Sequence, residues 1–202
     1  MKFKKLSILF CSLLALTSVM AVSAAETETV SETEAASAEE STVSGADEET
    51  EYPITIQHAY GETVIESKPE RIATVGWENQ DAPLALGIAP VGVSAANYGM
   101  VTENNLHPWT DEAFQELGVD APNVFDDVDG LDFEAISDCD PDVILASYSG
   151  LTQEDYDTLS QIAPVIPYKE NAWQTTWRDQ TIENAEGMGM KAEGEAKVAE
   201  VE

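Results

Sequence analysis

The sequence has few of the residues from which most enzyme sites and metal centres are built. Its 202 residues include two histidines and two cysteines, and neither His58 nor His107 has the spacing of a zinc motif such as HExxH. Motifs for a serine or cysteine nucleophile are missing. The glycines of residues 187–194 follow no predicted strand, and the aspartates of residues 125–134 lack the ligand spacing of a calcium loop. We therefore predict that the protein is not an enzyme.

Basic side chains are scarce, and their scarcity excludes two classes of partner. Lys and Arg number 9 against 39 Asp and Glu, which gives a formal net charge of -30 at pH 7. Beyond residue 51 the chain keeps six basic and 29 acidic side chains, a net charge of −23. Such a chain repels the phosphates of nucleic acid and of anionic membranes, so neither is expected as a partner.

Cysteine is nearly absent beyond the first 25 residues, where Cys139 stands alone. An internal disulfide is therefore excluded there, and Cys139 is predicted to be a small buried side chain.

The first 25 residues have the pattern of an export signal. Lys2, Lys4 and Lys5 precede a short apolar run, which ends in the small residues of AVSAA at 21–25. A polar tract follows at once, which favours a cleaved signal peptide over a membrane anchor. Cys11 lies in the middle of the apolar run rather than at its end, so a lipid anchor is not supported. We expect an exported protein of the cell envelope, in the periplasm or on the outer face of the cytoplasmic membrane.

Residues 26–51 are predicted to be a disordered acidic linker. The segment has ten acidic residues, no basic residue and no aromatic residue, so it cannot bury enough apolar surface to fold. It is either an extended spacer or a tolerated tail. The remaining 151 residues are enough for one ordinary domain with a core.

The remaining residues alternate between strand and helix patterns. Two short alternating runs around a glycine-containing turn, at 54–56 and 63–65, predict a β-hairpin. A parallel sheet is indicated by the order strand, helix, strand that follows. The predicted strands are 72–75, 91–93, 123–127, 141–150 and 165–168. The predicted helices end before Gly87 and Gly118, occupy 131–140, begin after Thr152, and run from Thr175 to Glu202.

Aromatic and small polar residues follow four of these strands. Ligands of open α/β sheets lie outside the carboxyl ends of the strands, so these residues predict a binding surface for a sizeable, partly flat ligand. The alternative is that the aromatics pack the loops onto the core. The candidate ligand-binding residues are Trp77, Asn97, Tyr98, Ser147, Tyr148, Ser149, Trp173, Trp177 and Arg178.

Three stretches together resemble a known family. They are residues 52–99, which include KPERI, residues 125–168, which include FEAI and PDVILA, and WQTTWRDQ at 173–180. In this order they resemble the substrate-binding proteins of bacterial ABC importers for ferric siderophores, a class that also serves haem and cobalamin. A haem or cobalamin binder of the same class, and a surface interaction module outside transport, remain the alternatives.

The resemblance implies two Rossmann-like lobes joined by one long helix, with the ligand between them. Residues 52–174 would be the N-terminal lobe, an α/β unit with a mostly parallel sheet preceded by a β-hairpin. Residues 175–202 would begin the inter-lobe helix. The second lobe is missing from the sequence, so the chain is expected to be a truncated form. It is also expected to be a monomer.

The resemblance also implies roles for individual residues. Trp77 and the loops near Tyr98 and Tyr148 would line the pocket, and Glu134 of FEAI would dock onto the permease of the transporter, unless it is an ordinary solvated glutamate. Arg71 is expected to brace the start of a strand. A siderophore supplies the oxygens that hold its iron, so neither a cofactor nor protein metal ligands are implied. The acidic lobe, with Arg178 as the one arginine near the cleft, favours a neutral or cationic hydroxamate complex over a catecholate.

Overall fold

The computed structural model describes residues 50–202, so the predicted signal peptide and nearly all of the acidic linker lie outside the described residues. Within this range seven strands and six helices follow one another. The strands are β1 Ile54–His58, β2 Gly61–Ile65, β3 Ile72–Thr74, β4 Gly92–Ser94, β5 Val124–Phe125, β6 Val143–Ala146 and β7 Val165–Pro167. The helices are α1 Asp81–Ala85, α2 Pro108–Glu116, α3 Phe133–Asp138, α4 Gln153–Leu159, α5 Trp177–Gly187 and α6 Lys191–Val201.

Five strands form a parallel sheet in the order β5-β4-β3-β6-β7. Each of the three central strands is buried along its whole length, as continuous apolar runs in parallel sheets usually are. The chain leaves β3 towards β4 and β5 on one side, and later adds β6 and β7 on the other. The order of strands therefore reverses between β3 and β6, which is the Rossmann-like arrangement that the resemblance implied.

The predicted hairpin of β1 and β2 is confirmed, and it packs beside the sheet. Ile56 and Ile65 lie in one apolar cluster with residues of β3, β6 and β7. The backbone N–H of Ala59 also donates to the carbonyl of Tyr168, at 3.1 Å.

The neutral imidazole of His58 stabilises the end of the hairpin through hydrogen bonds. Its Nδ1 accepts from the N–H of Tyr60 at 3.2 Å, and its Nε2 lies 2.9 Å from the Thr63 hydroxyl. That hydroxyl donates to the carbonyl of Val165 at 2.7 Å, so Nε2 is the donor to Thr63. Burial lowers the pKa of His58, in keeping with a ring that is bonded as the neutral tautomer.

This contact predicts an acid-sensitive contribution to stability. The unfolded chain takes up a proton at His58 near pH 6.5, before the folded chain does, so the contribution is present above about pH 6.5 and is lost as pH falls. We expect His58→Asn to lower the free energy of unfolding more at pH 7.5 than at pH 5, measured by urea titration. An equal loss at both pH values would show that the neutral ring does not stabilise the hairpin.

The C-terminal prediction of one helix from Thr175 to Glu202 is wrong in one respect. The chain forms α5 and α6, with Gly189 between them at φ +71. Gly194 of α6 packs directly on Ala185 of α5, and Arg178 near the start of α5 is paired with Glu202. The second helix therefore folds back along the first, because two small residues allow their backbones to approach closely.

Several local predictions are confirmed. Thr152 caps α4 in a reciprocal capping box with Asp155, which is the cap expected from its position. Cys139 is buried, and Arg71 donates to the carbonyls of Cys139 and Asp140 at the start of β3. In the part of the chain that the structure describes, no helix combines the length and the apolar character needed to cross a bilayer.

Candidate functional site

The candidate site lies where the strand order of the sheet reverses. The loop after β3 carries Trp77, and the loop after β6 carries Tyr148 and Ser149, so the two loops meet at the carboxyl ends of adjacent strands. Open α/β sheets place their ligands in this crevice.

Gly76 allows the loop after β3 to approach the loop after β6. It has φ +82, a conformation that L side chains rarely adopt, and a Cβ at this position would lie 2.8 Å from the carbonyl oxygen of Tyr148. The next residue, Trp77, donates its N–H to the same carbonyl at 3.2 Å. The indole of Trp77 is left 40% exposed at the edge of the sheet.

Four aromatic side chains from four loops form a continuous surface, which we call the aromatic wall. The ring of Trp77 lies 5.0 Å from Tyr98 and 5.5 Å from Trp173, centroid to centroid. Tyr148 meets Trp173 edge-on at 5.4 Å. Such tilted contacts are the arrangement that aromatic pairs prefer, so the rings support one another while their outer faces remain open.

Trp173 is held in the wall by an unusual backbone conformation. Its φ is 59, in the left-handed region that bulky residues seldom occupy. Its N–H donates to the carbonyl of Ser149 at 3.1 Å, and its ring lies directly over Gly150. Strained residues of this kind concentrate at functional sites, where the surrounding structure holds them in place.

A groove of about 350 Å³ runs along the aromatic wall. Its volume is within the range of small-molecule sites. Two acidic residues line it, Asp127 and Asp155, and no lysine or arginine is among the described residues that line it. The groove therefore combines aromatic faces with a negative rim. Its lining includes Trp77, Asn97, Asp127, Gly150, Asp155 and Trp173.

A second group of polar side chains, Glu78 and His107, lies next to Tyr98. The hydroxyl of Tyr98 donates to the carboxylate of Glu78, and the buried His107 has its Nε2 3.7 Å from the same carboxylate. Burial and the adjacent Glu78 raise the pKa of Tyr98 to about 12, so its hydroxyl remains a donor at neutral pH. Burial and Glu78 also raise the pKa of Asp81 to about 7.

The structure brings most of the predicted site residues together. Trp77, Tyr98, Tyr148 and Trp173 form the wall, and Asn97 and Ser149 line the groove beside it.

Four predicted residues lie elsewhere. Ser147 is fully buried and donates its hydroxyl to Asn184 at 2.9 Å, so it is an interior residue. Trp177 and Arg178 begin α5 and do not line the groove, and the guanidinium of Arg178 lies 4.6 Å above the Trp177 ring. Glu134 is exposed in the first turn of α3 and is not among the residues that line the groove.

Sequence reasoning missed the three acidic residues of the site. Asp155 belongs to the cap of α4, and Asp127 belongs to a turn rich in aspartate, so both had local explanations. Glu78 directly follows Trp77 and has φ 58, and no pattern in the sequence predicts this backbone conformation.

Comparisons with known proteins identify relatives of the chain. A family model described as "Periplasmic binding protein" matches residues 72–202. The probable siderophore-binding lipoprotein YfiY of Bacillus subtilis (strain 168) is 27% identical over 206 residues, which cover 98% of this chain and 53% of YfiY.

Solved structures show the same fold. PiaA of Streptococcus pneumoniae TIGR4, an iron uptake ABC transporter substrate-binding protein, in complex with ferrichrome matches with a TM-score of 0.70 and 53% identity, over 73% of this chain and 48% of PiaA. SirA of Staphylococcus aureus, complexed with staphyloferrin B, matches with a TM-score of 0.59 and 27% identity, over 73% of this chain and 46% of SirA. The chain thus spans about half the length of the relatives that it matches.

Proposed function

The chain belongs to the periplasmic binding protein family, and from this premise we propose that it binds a ferric siderophore as the extracytoplasmic component of an ABC importer. The observation that carries the proposal is the aromatic wall beside an open groove at the point of strand reversal. The 53% identity to a protein solved with ferrichrome supports the same ligand class. Binding and delivery, rather than catalysis, are the proposed activity.

The proposed ligand is a ferric hydroxamate complex. Three hydroxamate groups balance the charge of Fe³⁺, so such a complex is neutral, whereas a tris-catecholate complex carries three negative charges. Asp127 and Asp155 at the groove would repel the catecholate, and Arg178 is paired with Glu202 away from the groove. Charge at the groove thus favours the neutral ligand.

The chain would recognise the outside of the complex and leave the iron to the siderophore. Trp77 and Trp173 offer flat apolar faces to the ligand, and the exposed amide of Asn97 offers a donor and an acceptor. The siderophore oxygens occupy the coordination shell of the iron, so the protein needs to supply no metal ligand.

We further propose that the exported protein delivers its ligand to a permease of the cell envelope. Glu134 is exposed on the short helix α3 and is not among the residues that line the groove, so its carboxylate can pair with a basic side chain of such a permease. The siderophore-binding lipoprotein among the relatives supports a location in the envelope.

A titration with three ligands tests the proposal. We expect ferrichrome to quench tryptophan fluorescence in a saturable way, and a ferric tris-catecholate to bind at least tenfold more weakly because of the two carboxylates. A Trp109→Phe variant is the control, because Trp109 is exposed outside the groove and its loss should leave the affinity unchanged. A folded protein that does not respond to ferrichrome would overturn the proposal, and tighter binding of haem would identify a haem-binding member of the class.

A further inference from the structure

A buried polar cluster lies between the aromatic wall and helix α5, and its centre is Asn79. This side chain is fully buried two residues after Trp77. Its amide nitrogen donates to the carbonyls of Val75 at 2.7 Å and Tyr148 at 3.0 Å. Its oxygen accepts from the N–H of Tyr148 at 3.1 Å and from the amide of Asn184 at 3.0 Å. Asn79 therefore joins the loop after β3, the loop after β6 and helix α5.

Helix α5 presents two amide side chains to these loops. Gln180 and Asn184 are four residues apart, so they lie on the same face of the helix, and both are buried. The amide nitrogen of Gln180 lies 2.9 Å from the carbonyl oxygen of Trp77 and 3.3 Å from the side-chain oxygen of Asn79. The shorter distance identifies the Trp77 carbonyl as the main acceptor.

The peptide groups on both sides of Trp77 are thereby fixed by different parts of the fold. Its N–H is bonded to the loop after β6, and its carbonyl is bonded to Gln180 of α5. Helices usually pack on sheets through apolar side chains, which fix no particular direction. The hydrogen bond from Gln180 is directional, so it fixes the orientation of the Trp77 carbonyl relative to α5. The orientation of these two peptides sets the direction of the Cα–Cβ bond of Trp77, from which the indole extends.

We propose that Gln180 is a positioning residue for Trp77, which couples the orientation of the indole to the position of helix α5. The inference rests on the proposed function in so far as Trp77 contacts the ligand. When α5 shifts, the hydrogen bond to the Trp77 carbonyl moves with it, and the aromatic wall changes shape. Conversely, a ligand that presses on Trp77 acts on α5 through the same bond.

The test compares Gln180→Met with Thr181→Val. Methionine keeps the length of the side chain and removes the donor, so the Trp77 carbonyl loses its partner. Thr181→Val removes a hydrogen bond of the same helix, from Thr181 to the carbonyl of Trp177 at 2.8 Å, and leaves Trp77 untouched. Gln180→Asn replaces Gln180→Met if the methionine variant does not fold. The asparagine side chain is one methylene shorter, so its amide does not reach the Trp77 carbonyl.

Two readouts separate the positioning role from the proposed function. In protein labelled with 5-fluorotryptophan, the ¹⁹F signal of Trp77 in the absence of ligand should move or broaden in Gln180→Met and remain unchanged in Thr181→Val. The dissociation constant for ferrichrome should rise about tenfold in the first variant and less than twofold in the second.

An unchanged Trp77 signal in a folded Gln180 variant would overturn the inference. So would an unchanged affinity where the unsubstituted chain binds ferrichrome. If that chain does not bind ferrichrome, the proposed function fails, and the ¹⁹F signal still decides whether Gln180 positions Trp77.

Discussion

Replacing Gly76 with alanine is expected to lower the free energy of unfolding by about 2–5 kcal/mol, and to abolish ligand binding. A side chain at φ +82 costs about 1–2 kcal/mol by itself. The added Cβ would also lie 2.8 Å from the Tyr148 carbonyl oxygen and 2.9 Å from the Cβ of Ser149. The first of these atoms belongs to the backbone of a neighbouring loop, so relief of the clash requires the two loops to separate, at about 1–3 kcal/mol.

Gly87 provides a matched control for this substitution. Its φ is +78, close to that of Gly76, but nothing lies within 4 Å of an added Cβ. Gly87→Ala should therefore show the backbone cost alone, about 1–2 kcal/mol, with ligand binding retained. Urea unfolding of the two variants separates the backbone cost of the positive φ from the cost of the clash with the loop after β6. Equal destabilisation in both would show that the close approach of the two loops at Gly76 contributes nothing.

Gly150→Ala is expected to weaken ligand binding by about 10- to 100-fold while the fold is retained, because aromatic anchors at binding surfaces often contribute about 1–3 kcal/mol. An added Cβ would lie 2.7 Å from Cε2 and Cζ2 of Trp173. The clash is with an exposed side chain, so the indole moves and the backbone does not. The aromatic wall then loses the ring that covers Gly150.

A double-mutant cycle shows whether Gly150→Ala acts through Trp173. Trp173→Ala removes the ring that the new methyl group would displace, so Gly150→Ala should add less than twofold to the dissociation constant in that background. Both constants are measurable by calorimetric titration with ferrichrome. Additive effects of the two substitutions would mean that Gly150 contacts the ligand by itself or shapes another part of the groove.

The sequence predicts the sheet well because most of its strands are short buried runs with a recognisable end. The predicted strands at 72–75 and 141–150 contain β3 and β6, and each apolar run ends at a glycine or at small polar residues. The residues just beyond these ends, Trp77 and Tyr148, therefore lie at the edge that the sequence predicts. The order of the strands depends on long-range pairing, and no order was predicted from the sequence.

The remaining differences arise from contacts that no local pattern contains. Ser147 directly follows β6, and its burial depends on Asn184, which lies 37 residues further along the chain. Arg178 has the right residue type for a ligand contact, yet it pairs with Glu202 because α6 turns back along α5. That turn depends on the packing of Gly194 against Ala185, which a helical pattern does not show.

The role of Asn79 was also hidden from sequence reasoning. An asparagine after a strand and a tryptophan is typical of an ordinary turn, and its function here depends on two amides about a hundred residues away. A buried polar cluster of this kind forms between residues that are far apart in the sequence, so no local pattern predicts it. The position of Trp77 can be predicted because it directly follows the end of a strand.

Binding of a ferric siderophore against Trp77 and Trp173 is tested most directly by the magnetism of the iron. The chain has four tryptophans, so its ¹H–¹⁵N spectrum has four indole signals. Ferrichrome carries paramagnetic Fe³⁺, and the same siderophore loaded with diamagnetic Ga³⁺ is the control. We predict that ferrichrome broadens the signals of Trp77 and Trp173 much more than that of Trp109, and that the gallium complex shifts the first two without broadening them. Equal effects on all four signals, or broadening of Trp109 with Trp77 unchanged, would contradict the account.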